Sequence, residues 1–72
     1  MNAETLKLII DYVATMKGVN PSELIVYSLD EWDWNIDVGN DNINWDRDNI
    51  NTFDKFVKYY EKEYLHLDNK EV

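Results

Sequence analysis

Carboxylates are the most numerous chemically active side chains in this sequence, and they are concentrated in about a quarter of its length. Fifteen Asp and Glu residues stand against seven Lys and Arg residues in a chain of 72, which gives a formal net charge of −8. Seven acids fall between residues 30 and 48, together with a single base, Arg47. These acids are Asp30, Glu31, Asp33, Asp37, Asp41, Asp46 and Asp48. Such a cluster can bind a metal ion, exchange protons with a substrate or present negative charge to a basic partner.

The spacing of the acids is a poor match to a calcium-binding loop. An EF-hand loop that opened at Asp37 would need Asp or Asn at its third position, Gly at its sixth and Glu at its twelfth. Those positions hold Gly39, Asn42 and Asp48, and a hairpin turn explains the same residues. Because the chain also contains no Cys, we predict neither a bound metal nor a cofactor.

Catalytic groups other than carboxylates are scarce. His66 is the only histidine, and its place near the end of the last predicted helix suits a cation that complements the helix dipole. Ser22 and Ser28 have no identifiable base to activate them. A chain of 72 residues also leaves little room for a cleft. We therefore expect that the protein is not an enzyme.

Apolar residues at helical spacing predict a helix at each end of the chain. Residues 3–17 form the first, with Asn2 as the N-cap and Gly18 as the left-handed residue after the last turn. The same spacing returns after residue 51, with Asn51 or Thr52 as the cap. The apolar positions are Leu6, Ile9, Ile10, Val13 and Met16, then Phe53, Phe56, Val57, Tyr60, Tyr64 and Leu67.

Three short β-prone segments lie between the helices, after a single helical turn or tight loop predicted at residues 20–23. Residues 32–38 alternate strictly between apolar and polar, and Ile43 and Trp45 continue the alternation after a Gly-Asn pair. Residues 24–29 supply a further strand. The sequence therefore predicts one α+β domain over residues 1–72, a three-stranded antiparallel meander flanked by an N-terminal and a C-terminal helix (α-β-β-β-α).

A two-residue turn at residues 39–40 would fix the register of the second hairpin. Counting outward from it places Asp33 directly opposite Asp46. Opposed like charges destabilise an antiparallel pair, so a sheet selected for stability alone would avoid this arrangement. Together with the clustering of the acids, the pair indicates an acidic surface with a function.

A second two-residue turn at residues 30–31 would fix the first hairpin. It pairs Tyr27 with Trp34 and places both helices against a Trp-rich face, opposite a face rich in Asp and Asn. We expect the three tryptophans in the core; the alternative is that one is partly exposed as a binding anchor. Leu24, Val26 and Tyr59 fall outside the predicted core, and they are the candidates for a homodimer contact.

The acidic balance also restricts the partners and the compartment. Binding to nucleic acid and to anionic lipid depends on Lys and Arg, so we expect no direct contact with either. The first ten residues do not read as a secretory leader, and no apolar run approaches the roughly 18 residues that span a bilayer. The expected location is the cytoplasm.

In size, charge, Asp- and Asn-rich strands and helix–sheet–helix order, the chain resembles the small acidic DNA-mimic inhibitors that phages direct against host DNA-binding proteins. The resemblance implies a host partner that is basic and binds nucleic acid, such as a histone-like protein, a nuclease or a restriction or Cas factor. The seven clustered acids would then form the partner-binding surface. The alternative is a small protein-interaction or immunity module whose acidity serves mainly solubility.

Overall fold

The chain forms a helix, a three-stranded antiparallel sheet and a second helix, in that order. The computed structural model describes residues 2–28 and 32–66. Its elements are helix α1 (Ala3–Lys17), a 3-10 turn (Pro21–Glu23), strands β1 (Ile25–Ser28), β2 (Asp33–Val38) and β3 (Asp41–Asp46), and helix α2 (Phe53–Glu63). The strands lie in the order β1-β2-β3. The predicted α+β class and its α-β-β-β-α order are confirmed.

Side-chain caps begin both helices where the sequence predicts them. The Asn2 side chain accepts a hydrogen bond from the Thr5 N–H at 2.8 Å, and the Thr52 hydroxyl accepts one from the Lys55 N–H at 3.2 Å. Helix α1 ends at Gly18, whose φ of 71° is the left-handed conformation that glycine adopts without strain. Helix α2 ends earlier than its apolar spacing suggests, and His66 lies beyond it with a φ of 57°.

The hairpin of β2 and β3 has the predicted register. Asp33 pairs with Asp46, Ile36 with Ile43 and Val38 with Asp41 across the two-residue turn. The first turn residue, Gly39, has a φ of 62°, as a turn with glycine at its first central position requires. This hairpin sets the spacing of the acids that lie on β2 and β3.

The predicted register of β1 against β2 is wrong by one residue. Tyr27 pairs with Asn35, not with Trp34, which instead pairs with Ser28. This register is incompatible with the predicted two-residue turn at residues 30–31, which themselves lie outside the described part of the chain. Because side chains alternate between faces, this shift moves every β1 side chain to the face opposite the predicted one.

The observed register is the one that places Leu24 and Val26 toward the helices and Tyr27 on the opposite face. Leu24 is held at the end of the 3-10 turn, where its N–H donates to the Pro21 carbonyl, and its side chain is buried in the core. Val26 follows on the same, helix-facing side and is half-buried. The predicted register would instead turn Tyr27 toward the helices and bury a hydroxyl that needs a hydrogen-bond partner.

The core lies between the sheet and the two helices. Trp45 is its largest residue, 1% exposed, and its ring centroid is 4.8 Å from that of Phe56. Trp34 is half-buried, whereas Trp32 is 51% exposed, so one of the three tryptophans lies mostly outside the core. Met16, predicted on the apolar stripe of α1, is also exposed. The other buried apolar residues are Ile9, Val13, Ala14, Leu24, Ile36, Ile43, Phe56 and Tyr60.

Candidate partner-binding face

The side of the sheet turned away from the helices is predominantly polar, and we call it the polar face. Its rows across the strands follow from the register: Tyr27, Asn35 and Asn44 form one, and Ile25, Asp37 and Asn42 form the next. Asp33 and Asp46 form the row on the other side of Asn35. Three of the seven predicted partner-binding acids therefore share one face.

Asp33 and Asp46 are directly opposed on neighbouring strands, as the sequence predicts. The Arg47 N–H donates to the Trp32 carbonyl at 2.8 Å, so residues 32 and 47 are a hydrogen-bonded pair. The adjacent pair of residues 33 and 46 is then of the non-hydrogen-bonded kind, in which the side chains come closest. Two acidic residues are consequently paired at one end of the polar face.

Asp37 is held in place by neutral donors. Its Oδ1 accepts from the Asn42 amide at 2.7 Å and from the Tyr27 hydroxyl at 3.3 Å, and the same amide also donates to that hydroxyl at 3.3 Å. Burial and the adjacent Asp37 charge raise the pKa of the Tyr27 hydroxyl, which therefore stays protonated as a donor. Asp37 is thus oriented by neutral groups, and no cation among the described residues forms an ion pair with it.

Asp46 has a second role, in the turn that leads toward α2. Its Oδ1 accepts from the Asp48 N–H at 2.9 Å, and its Oδ2 accepts from the Asn49 side-chain amide at 3.0 Å. The Asp46 carbonyl also accepts from the Ile50 N–H at 2.9 Å. This carboxylate is both part of the polar face and the organiser of the turn, and Asp48 lies exposed in that turn.

Asp41 lies apart from the other acids, on the helix-facing side of the sheet with its pair Val38. Its Oδ2 is 2.9 Å from the Lys17 ammonium at the end of α1. This hydrogen bond is the main reason that the pKa of Lys17 is raised. The remaining predicted site residues, Asp30 and Glu31, lie outside the described residues.

The centre of the polar face contains a buried amide. Asn35 is 2% exposed, and its Oδ1 accepts from the Asn44 amide at 2.9 Å, whereas its own Nδ2 has no acceptor among the described residues. Tyr27, on the strand next to Asn35, reaches past it to the row of Asp37 and Asn42. The alternation of residues 32–38 indicates a polar side chain at position 35 but not that neighbours cover it.

Two tyrosines of α2 close the outer edge of β3. The Tyr59 hydroxyl donates to the Asn44 carbonyl, and the Asn44 N–H donates to the Tyr64 hydroxyl at 3.3 Å. Burial, followed by the neighbouring Tyr64 hydroxyl, raises the pKa of Tyr59. Of the three predicted homodimer residues, Tyr59 is thus engaged within the fold, as is the buried Leu24.

Across residues 2–28 and 32–66, no three His, Cys, Asp or Glu side chains are grouped as metal ligands. Within the same ranges, neither helix is both long and apolar enough to cross a membrane.

Relieving the opposed carboxylates is expected to stabilise the fold. Asp33→Asn removes the like-charge contact with Asp46 and should raise the free energy of unfolding by about 0.2–1 kcal/mol at low salt. The matched control is Glu61→Gln on α2, which makes the same change in net charge away from the pair. Urea denaturation at low and at high salt measures both variants. An unchanged or lower stability of Asp33→Asn relative to Glu61→Gln would show that the pair carries no strain.

No family model, no curated protein and no solved structure matches this chain.

Proposed function

We propose that this protein is a DNA-mimic inhibitor, which binds a basic DNA-binding protein through the polar face and occupies the surface meant for DNA. The observation that supports this best is the placement of Asp33, Asp37 and Asp46 on one side of a rigid hairpin. A solubilising charge has no need of a directly opposed pair, because scattered acids would serve equally well.

The spacing of the acids suits groups that bind phosphates. Asp33 and Asp37 lie four residues apart along β2, about 13 Å, and Asp46 lies on the neighbouring strand β3, about 4.8 Å from β2. Lys and Arg side chains arranged to contact successive phosphates would meet carboxylates on this lattice, and the amides of Asn42 and Asn44 would add neutral hydrogen bonds.

The negative charges of Asp37 and Asp46 are available to a partner. The ion pairs between described residues join Lys7 with Asp11 and Lys17 with Asp41, and neither includes Asp37 or Asp46. Asp37 and Asp46 instead accept hydrogen bonds from neutral groups, which orient the carboxylates and leave their charge for electrostatic attraction.

The test is a binding assay on four purified DNA-binding proteins: a histone-like protein, a uracil-DNA glycosylase, a restriction endonuclease and a Cas nuclease. We expect saturable binding to at least one of them at low salt, with duplex DNA as a competitor and a marked loss at high salt. Asp33→Asn combined with Asp37→Asn should weaken that binding by about five- to tenfold. The charge-matched control combines Glu61→Gln with Glu63→Gln on α2.

Several results would contradict the proposal. Binding that DNA does not displace would place the contact elsewhere on the partner. If the two double variants weakened binding equally, net charge alone would explain the binding, and the polar face would have no specific role. Absence of binding to all four proteins at low salt would remove the reason to regard the face as a DNA mimic.

A second candidate function, an interaction module that uses apolar contacts, is favoured by two exposed side chains. Trp32 is 51% and Ile25 is 63% exposed, and a large exposed aromatic residue is a common binding anchor. Such a module would lose its partner on Trp32→Ala and would be indifferent to salt, which distinguishes it from the mimic in the same assay.

A further inference from the structure

No strand among the described residues pairs with the outer edge of β1. Hydrogen-bonded and non-hydrogen-bonded residue pairs alternate along two antiparallel strands, and residues 32 and 47 are a hydrogen-bonded pair. Asn35 and Asp37 of β2 therefore direct their backbone groups away from β3 and toward β1, where they pair with Tyr27 and Ile25. The N–H and C=O of Val26, between those two residues, therefore point away from the sheet. No described residue makes a hydrogen bond to them.

The two edges of the sheet differ in whether side chains bind their outward backbone groups. At β3, the tyrosines of α2 engage the outward N–H and C=O of Asn44. Edge strands are usually protected from pairing by a charge or a proline, yet β1 has the sequence Ile-Val-Tyr-Ser in a chain that is 31% charged. The β1 edge thus retains the features that permit a further strand to be added.

The surroundings of this edge indicate which strand would fit. Ile25 is 63% exposed on the polar face and shares its row with Asp37. An added strand would lie about 9.6 Å from β2, two strand spacings away. A Lys or Arg placed opposite Ile25 could lay its apolar stem on Ile25 and direct its charge to Asp37. Next to Val26, on the helix-facing side, an apolar side chain would fit.

We propose that β1 accepts an extended segment of the basic partner as a fourth strand, with Lys or Arg alternating with apolar residues. This inference rests on the proposed function, since it gives the basic partner a second contact beside the acidic face. A second copy of the chain fits the edge less well, because each copy has a net charge of −8 and a four-residue strand buries far less than the roughly 1,200 Å² of a stable interface.

The probe is a seven-residue peptide of alternating Lys and Val with both ends blocked. Its control has the same composition, with four Lys followed by three Val. Added to isotopically labelled protein at low salt, the alternating peptide should slow hydrogen exchange of the Val26 amide at least tenfold, and the control peptide should not. Equal protection by both peptides, or by neither, would overturn the inference.

Two variants test the edge by independent means. Val26→Pro removes the outward N–H, and Ile25→Lys places a repelling charge where the basic side chains would lie; each should weaken binding of the alternating peptide about tenfold. Ile25→Lys keeps the test decisive if the proline variant does not fold. The charge-matched control is Leu8→Lys, at a half-exposed position on α1, which should leave binding near that of the unaltered protein.

The same variants separate this inference from the proposed function. If Asp33→Asn with Asp37→Asn weakens binding of a DNA-binding protein while Ile25→Lys acts no more strongly than Leu8→Lys, the acidic face binds without the edge and the inference is wrong. If the acid variants have no effect, the proposed function fails and removes the basis of the inference. Protection of Val26 that rises with protein concentration alone would identify a second copy as the occupant.

Discussion

Trp45→Ala is expected to lower the free energy of unfolding by about 3–5 kcal/mol. Trp45 is the largest fully buried side chain and packs edge-on against Phe56 of α2, so its removal leaves a cavity between the sheet and the helix. A domain of 72 residues has a small core and a correspondingly small margin of stability. We therefore expect the variant to be largely unfolded at room temperature.

Circular dichroism with urea denaturation measures this effect, because tryptophan fluorescence changes with the substitution itself. Trp45→Phe is the conservative comparison. The indole N–H has no hydrogen-bond partner among the described residues, so phenylalanine should retain most of the stability. Trp32→Ala, at the half-exposed tryptophan, should cost less than about 1 kcal/mol. Similar losses for Trp45→Ala and Trp32→Ala would contradict the assignment of the core.

Replacing both Tyr59 and Tyr64 by phenylalanine is expected to cost about 2–3 kcal/mol and to expose a second sheet edge. Each substitution removes a hydroxyl that satisfies one outward backbone group of Asn44, and an unsatisfied, partly buried group costs about 1–3 kcal/mol. Loss of these contacts leaves the edge of β3 open to pairing with other molecules. We expect lower stability together with self-association.

Urea denaturation and sedimentation velocity test the two effects separately. Tyr12→Phe is the matched control, because the Tyr12 ring packs edge-on against Phe53, Phe56 and Tyr60 while its hydroxyl makes no hydrogen bond in the described structure. A double variant that is as stable and as monomeric as Tyr12→Phe would mean that water satisfies the edge of β3 equally well.

The helices and the second hairpin could be predicted from the sequence because their signals are local. The caps at Asn2 and Thr52 and the turn at Gly39 act within a few residues of the chain, and the turn is sufficient to fix the pairing of Asp33 with Asp46. Three acids of the proposed site could therefore be placed on one face without a structure.

The register of β1, the ion pair of Asp41 and the role of Tyr59 could not be predicted, because they depend on contacts between residues distant in the sequence. The β1 register is decided by whether Leu24 or Tyr27 faces the helices, and alternation alone fits both choices. The ion pair between Asp41 and Lys17 joins residues 24 apart in the sequence. The sequence prediction placed Asp41 among the partner-binding acids, but its charge is paired within the fold. The Tyr59 hydroxyl meets the edge of β3 only because of how α2 packs, so its position on the helix wheel gave no indication of this role.

The Asp46 carboxylate serves the turn as well as the charge of the polar face. It accepts hydrogen bonds at both of its oxygens in the turn toward α2, so a substitution there would disturb the path of the chain as well as the charge. Under pressure to escape or to change a partner, lineages of this protein should keep aspartate at position 46, so that β3 maintains the fold while the charge of the face changes elsewhere.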